Sequence, residues 1–281
     1  MTEISLQCIP LTLFNQRIRC MNHKIKLFFG ITFLAGFITS CSTTSTDPAD
    51  AYKGETAQQI YSKGTKDLKN KEYADAIKRF EALDVQYPYG EDTEKAQLYL
   101  IYSYYMKEEY ILSSSAADRF IRNHPTNSSV DYAYYMRGVS NYYQNMGILE
   151  RLMLVDLSNR DLTQIQKSYN DFNELIVRFP NSKFTASAHQ YMVFLRNVLA
   201  DHQLHVAQFY YNRKAYVASA NRASKLVAQY QGAPSVVGGL EIMAKSYRKL
   251  GLNKMEEDTL AVLKTNYPDV KVDYDSKYKI S

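Results

Sequence analysis

Tyr73-Ala74-Asp75-Ala76-Ile77-Lys78-Arg79-Phe80-Glu81-Ala82-Leu83-Asp84-Val85-Gln86-Tyr87-Pro88 decides the fold, because four later stretches fall into its register. The five align on Tyr87-Pro88, His124-Pro125, Phe179-Pro180, Tyr230-Gln231 and Tyr267-Pro268. Fifteen residues before the second position of each pair stand Tyr73, Tyr110, Ile165, Tyr216 and Asn253. Twelve before it stand Ala76, Ser113, Ser168, Ser219 and Glu256, and eight before it Phe80, Ala117, Phe172, Ala223 and Leu260. Large, small and apolar at these intervals share one helical face. The small side chain admits a neighbouring helix closely, the apolar one fills the gap, and proline ends the helix because it cannot continue the hydrogen-bond ladder.

A matching pattern precedes three of the stretches: Leu100-Ile101-x-x-Tyr104, Val206-Ala207-x-x-Tyr210 and Leu240-x-x-Met243-Ala244-x-x-Tyr247. Together the two patterns resemble the tetratricopeptide (TPR) signature of paired antiparallel helices. The expected fold is therefore all-α, a right-handed superhelical solenoid of about five TPR helix pairs. Anchor spacings of 37, 55, 51 and 37 residues fit a slightly lengthened repeat at both ends and require insertions or long helices in units three and four. The stretch from Met146 to Thr163 reads as an inserted loop. Such a stack presents a groove lined mainly by the first helix of each pair, which suits peptides or the edge of another protein. The 25 tyrosines divide between packing and groove contact, and the sequence does not sort them individually.

The N-terminus carries an address. Lys24 and Lys26 precede an apolar run, Leu27–Phe37, and Ile38-Thr39-Ser40-Cys41 closes it. At about 1.5 Å per residue this run falls short of the ~30 Å of a bilayer core, so it reads as a removable export signal over residues 1–40. The stretch resembles the bacterial lipobox, which implies a diacylglyceryl group on the Cys41 sulfur and an acyl chain such as palmitate on the new amine. No other cofactor is implied. Translation is expected to begin at Met21, and Ser42 after the cysteine points by the sorting pattern of such signals to the outer membrane. The polar residues that follow read as a flexible tether, 41–54. Cys8 and Cys20 lie upstream of the cut, so the mature chain has no second thiol for a disulfide. Removing residues 1–40 leaves 30 of 34 basic and 28 of 29 acidic residues, a net charge of +2 that implies no nucleic acid.

Catalytic readings are weak. His202 and His205 are spaced i, i+3 beside Asp201, but a metal centre needs three or four ligands, so no metal is expected. Ser113-Ser114-Ser115 has no glycine elbow and reads as small-residue packing, and neither a phosphate loop nor HExxH occurs. No catalytic residue is assigned. Gly238-Gly239 is expected to open a helix after a loop.

Ordered strings sharpen the resemblance. These are Ala82-Leu83-Asp84, Tyr87-Pro88-Tyr89-Gly90, Asp118-Arg119-Phe120-Ile121-Arg122, Asp131-Tyr132, Tyr135-Met136-Arg137-Gly138, Val155-Asp156, Arg160-Asp161, Phe179-Pro180-Asn181-Ser182 and Asn221-Arg222. With the lipobox and five repeats they resemble the BamD (ComL) family of outer-membrane-assembly lipoproteins across nearly the whole mature chain. The resemblance implies a lipid-anchored, non-enzymatic subunit on the periplasmic face of the outer membrane, within the BAM complex that inserts β-barrel proteins. Repeats one and two, residues 55–128, would receive the C-terminal signals of unfolded clients, with Tyr87, Tyr89, Gly90, Tyr99 and Tyr102 as candidate contacts. Repeats three to five, residues 129–275, would dock BamA, alongside possible further BAM lipoproteins, with Arg222 meeting an acidic residue and Arg213 and Tyr210 nearby; residues 276–281 are a tail. The alternatives are a TPR lipoprotein scaffold for pilus or secretin assembly or for coordinating peptidoglycan synthesis, an envelope hydrolase or protease, and a structural spacer.

Overall fold

The structure is a computed structural model that describes residues 47, 50–144, 146 and 161–275. The signal segment 1–40, Cys41, Val155, Asp156, Arg160 and the tail 276–281 lie outside the described residues. Ten α-helices and no strand occur among the described residues. They fall into two compact units, with the chain boundary between Tyr143 and Gln144.

The first unit holds α1 (Ala57–Lys69), α2 (Tyr73–Gln86), α3 (Glu91–Met106), α4 (Tyr110–Asn123) and α5 (Val130–Tyr143). The second holds α6 (Thr163–Arg178), α7 (Thr185–Asn212), α8 (Tyr216–Gln229), α9 (Val236–Lys249) and α10 (Asn253–Asn266). Helices α2, α4, α6, α8 and α10 are the five aligned stretches, so each is the second helix of a pair. Unit four is long because α7 alone runs 28 residues. Within the first unit α1 packs on α3 and α3 on α5, while α2 and α4 make no comparable contact. In the second unit α7 packs on α9 in the same way. First helices therefore lie side by side and build one wall of each unit, as expected of TPR pairs.

The aligned positions do what their chemistry predicts. Ala76, Ser113, Ser168 and Ser219 are wholly buried, as are Phe80, Ala117, Phe172 and Ala223. Ser113 Oγ donates to the Ile101 carbonyl at 2.9 Å, and Ser219 Oγ donates to the Ala207 carbonyl at the same distance. Each also accepts a hydroxyl from the next pair's first helix, from Ser140 at 2.8 Å and from Ser246 at 3.2 Å. One buried serine thus joins three helices and leaves no polar atom stranded. Gly64 and Gly239 serve the same close approach: a Cβ on Gly64 would lie 2.6 Å from the Phe80 ring, and one on Gly239 2.7 Å from Leu226. Gly238 and Gly239 fall in the first turn of α9, opening the helix after a loop as expected, and a Cβ on Gly238 would lie 3.0 Å from Leu204 of α7, so the pair lets α9 approach both α7 and α8.

Both kinds of turn repeat. The residue before the aligned proline or glutamine leaves the helical region, with φ between −119° and −138° and ψ between 40° and 69°, in keeping with the bar that proline places on a helical predecessor. The three-residue turn inside four of the five hairpins is a Schellman motif. In the first, Glu72 N–H donates to Asp67 O at 2.9 Å and Lys71 N–H to Leu68 O at 3.1 Å. Equivalent pairs join Glu109 to Tyr104, Ala215 to Tyr210 and Leu252 to Tyr247. The motif needs a left-handed residue, and Lys71 (φ 66°), Glu108 (64°), Lys214 (61°) and Gly251 (71°) fill it.

The incoming chain departs from the expected tether. Residues 50–54 are folded onto the first unit because Tyr52 packs against the core around Ile60 and Phe80, with the Arg79 guanidinium 4.5 Å from its ring centroid. Gln86 Nε2 donates to the Ala51 carbonyl, and Lys63 pairs with Glu55 at 2.9 Å.

Three left-handed turns carry a Cβ that glycine lacks. Replacing Lys71, Glu108 or Lys214 by glycine should raise stability by about 0.5–1 kcal/mol each, and Gly251→Ala should lower it by about 1 kcal/mol, read as shifts in the unfolding midpoint.

Candidate functional site

In the first unit, aromatic side chains line the wall of first helices. Tyr61 of α1 stacks on Tyr99 of α3 with centroids 6.2 Å apart, and the Phe80 ring lies 6.0 Å from Tyr99 on the core side. Tyr102, one turn along the same face of α3, meets the Tyr73 ring edge-on at 6.3 Å. Tyr61 and Tyr99, and likewise Tyr73 and Tyr102, lie within electrostatic reach of one another. Burial pushes the Tyr61 and Tyr102 hydroxyls up, helped in each case by the neighbouring tyrosine, so both stay protonated at neutral pH. Tyr132 of α5, wholly buried, lies within electrostatic reach of Tyr99 and Tyr102 and is pushed up by burial far more. The wall is thus apolar in area yet carries neutral hydroxyls, a surface suited to an extended peptide with alternating side chains.

The five expected client contacts separate on this geometry. Tyr99 and Tyr102 are half-buried members of the aromatic array. Tyr87, at the corner between α2 and α3, donates its hydroxyl to the Glu55 carbonyl at 2.8 Å and so helps hold the incoming chain. Tyr89 projects from the same corner and is 91% exposed. Gly90 precedes α3 with φ 127°, a backbone that other residues rarely adopt, and open space surrounds its missing Cβ; its role is in the turn. Tyr61 is not singled out in the sequence, and Tyr73 is read there only as a repeat position; both face α3, where Tyr99 and Tyr102 meet them.

In the second unit, Tyr210 and Arg213 share a neighbour. The Phe209 ring lies edge-on to Tyr210 at 5.7 Å and under the Arg213 guanidinium at 4.7 Å. Arg222 stands apart on α8, its Nη1 donating to Gln203 Oε1 of α7 at 3.5 Å, the long limit of such a bond. Half-buried, it keeps most of its donor fork for another acceptor. Phe209, 38% exposed, was not singled out in the sequence because Tyr210-Tyr211 beside it carries the repeat pattern.

The catalytic candidates resolve into packing. Ser113 is committed to Ile101 and Ser140, Ser114 Oγ donates to Ile111 O at 3.1 Å, and Asp201 accepts from Ser235. Among the described residues no group of three or more His, Cys, Asp or Glu is placed to hold a metal ion.

The family described as YfiO, outer membrane lipoprotein, matches residues 53–263, which spans both units. The chain is 35% identical over 233 residues to the outer membrane protein assembly factor BamD of Neisseria meningitidis serogroup B, covering 82% of this chain and 87% of that one. It belongs to the BamD family. BamD of Xylella fastidiosa strain Temecula1 is 35% identical over 232 residues, 83% of this chain and 78% of the relative, and BamD of Vibrio cholerae is 34% identical over 208, 74% and 86%. A solved Podosopora anserina structure with nearly identical TPR-like repeats covers 75% of this chain and 96% of its own at 10% identity, with a TM-score of 0.32 too low to bear on the fold.

The division of the tyrosines is open to measurement. Tyr99→Ala should cost about 2–3 kcal/mol by uncovering Phe80, whereas Tyr89→Ala should stay within about 0.5 kcal/mol; chemical denaturation followed by circular dichroism separates the two.

Proposed function

We propose that this BamD-family chain is a non-catalytic adaptor in the machinery that assembles β-barrel proteins into the bacterial outer membrane. The observation that carries the reading is the match to relatives named outer membrane protein assembly factors over 82% of the chain, through both helical units. The first unit would take the C-terminal signal of an unfolded client, an extended segment of alternating apolar and polar residues ending in an aromatic. Tyr99 and Tyr102 would receive apolar side chains against the wall, and the projecting Tyr89 would supply a face at its rim. The second unit would dock the periplasmic domains of BamA. Arg222 suits an acidic acceptor there because its planar fork can pair both carboxylate oxygens, with Arg213 and Tyr210 contributing beside Phe209. A lipid on Cys41 would hold the chain on the periplasmic face.

A pull-down of the tagged full-length protein from detergent-solubilised membranes tests this reading. Stoichiometric recovery of a large barrel protein with repeated periplasmic domains is expected; pilus, secretin or peptidoglycan-synthesis partners in its place would overturn it. In the same assay Arg222→Ala should weaken recovery, as loss of about 2–5 kcal/mol from a desolvated pair implies, while helicity stays intact. Unchanged recovery would remove Arg222 from the interface. Separately, Cys41→Ala should abolish metabolic lipid labelling and leave the signal uncleaved, and labelling that persisted would place the anchor elsewhere.

A further inference from the structure

The fifth repeat departs from the serine pattern. In inner repeats the second-helix residue accepts a hydroxyl from the next pair's first helix, twenty-seven residues on: Ser113 from Ser140, and Ser219 from Ser246. Glu256 occupies the same position in α10, 7% exposed, and no helix follows α10 among the described residues. Its partner is Tyr274, eighteen residues on in the chain that leaves α10, whose hydroxyl donates to Glu256 Oε1 at 2.7 Å. Arg248 of α9 donates Nε to the same oxygen at 2.9 Å, and its guanidinium lies 3.5 Å from the centroid of the Tyr274 ring. An extended chain rises about 3.3 Å per residue against 1.5 Å for a helix, so fewer residues suffice to return to the same place.

The returning segment covers apolar surface as a helix would. Val270 and Val272 pack against the cluster of Ala233, Val236, Leu240 and Leu263. Its carboxylates answer a charge on the same face: Lys245 of α9 is 2% exposed, and Asp273 and Asp275 of the segment join Glu241 as the acidic groups acting on it. Burial pushes the Tyr274 hydroxyl up to about 12, with the Glu256 hydrogen bond adding to it, so the phenol keeps its proton for that bond.

We propose that Val270–Asp275 is a latch that closes the last repeat by standing in for the first helix of a sixth one, and that Glu256 is the residue that binds a strap where inner repeats bind a helix. Repeat arrays need such an end because the terminal unit otherwise exposes the face that its neighbour would bury.

Limited trypsinolysis of the full-length protein, read by mass spectrometry, tests the latch, since Lys271 lies between the two docked valines. Cleavage after Lys271 should be slow in the unaltered protein and at least tenfold faster in Glu256→Ser, a side chain that inner repeats already accommodate at this position. Tyr274→Phe, which keeps the ring over Arg248 but loses the hydroxyl, should fall between the two. Amide exchange in α7 and α8 should not change, which separates release of the strap from unfolding of the unit. Cleavage after Lys271 in the unaltered protein at the rate of denatured chain, or a Glu256→Ser protein cut no faster than the unaltered one, would overturn the proposal.

Discussion

The hydroxyl of Ser113 donates to a carbonyl of the helix before it and accepts a hydroxyl from the helix after it, and Ser219 does the same in the second unit. That contact sets how closely three helices meet, because a larger side chain would push them apart and an unpartnered polar one would be costly to bury. Alanine at position 76 keeps the closeness without the bond. The large apolar residues one turn further, Phe80 and Phe172, fill the space that this closeness leaves, and Gly64 yields the room Phe80 takes. The wall of first helices in each unit follows from the same spacing.

What was legible in the sequence was whatever repeats as side-chain size. The five stretches before Tyr-Pro and its equivalents became five helices, and the long third spacing became the 28-residue α7. Three things escaped for identifiable reasons. The left-handed turn position is glycine only at residue 251; at 71, 108 and 214 the Schellman hydrogen bonds hold a lysine or glutamate there, so composition gives no signal. Residues 50–54 read as tether because they are short and polar on average, yet one aromatic, Tyr52, is enough to dock them when Arg79 and an apolar surface wait for it. Gly238-Gly239 does open a helix as read, but its packing role escaped, because glycine at a helix start reads as punctuation while Leu204 and Leu226 take the space that the missing side chains leave.

The candidate site was legible at the level of residue type and not of placement. Tyr87, Tyr89, Tyr99 and Tyr102 are the same side chain in three environments: a clasp on Glu55, a projection and, for the last two, an aromatic array. Which environment each occupies depends on residues far off in sequence, Glu55 for Tyr87, Tyr61 for Tyr99 and Tyr73 for Tyr102. Arg222 was named through a short string, and its geometry rests on Gln203 across the hairpin, nineteen residues before it.

The two ends of the folded chain are closed by one chemical device. At the first repeat Arg79 pairs with Asp67 at 2.7 Å and lies over Tyr52 of the incoming chain; at the last, Arg248 pairs with Glu256 and lies over Tyr274 of the outgoing chain. In both, a carboxylate of the same hairpin fixes the guanidinium plane, and a tyrosine from an irregular segment stacks on the face left open. The entry clasp bears on where the first unit works. Eight residues separate Cys41 from Asp50, and the nine Cα–Cα steps fully extended reach only about 30 Å. Under the lipid-anchor proposal, the aromatic wall of the first repeat therefore belongs near the bilayer surface, where a client strand bound for that membrane would arrive.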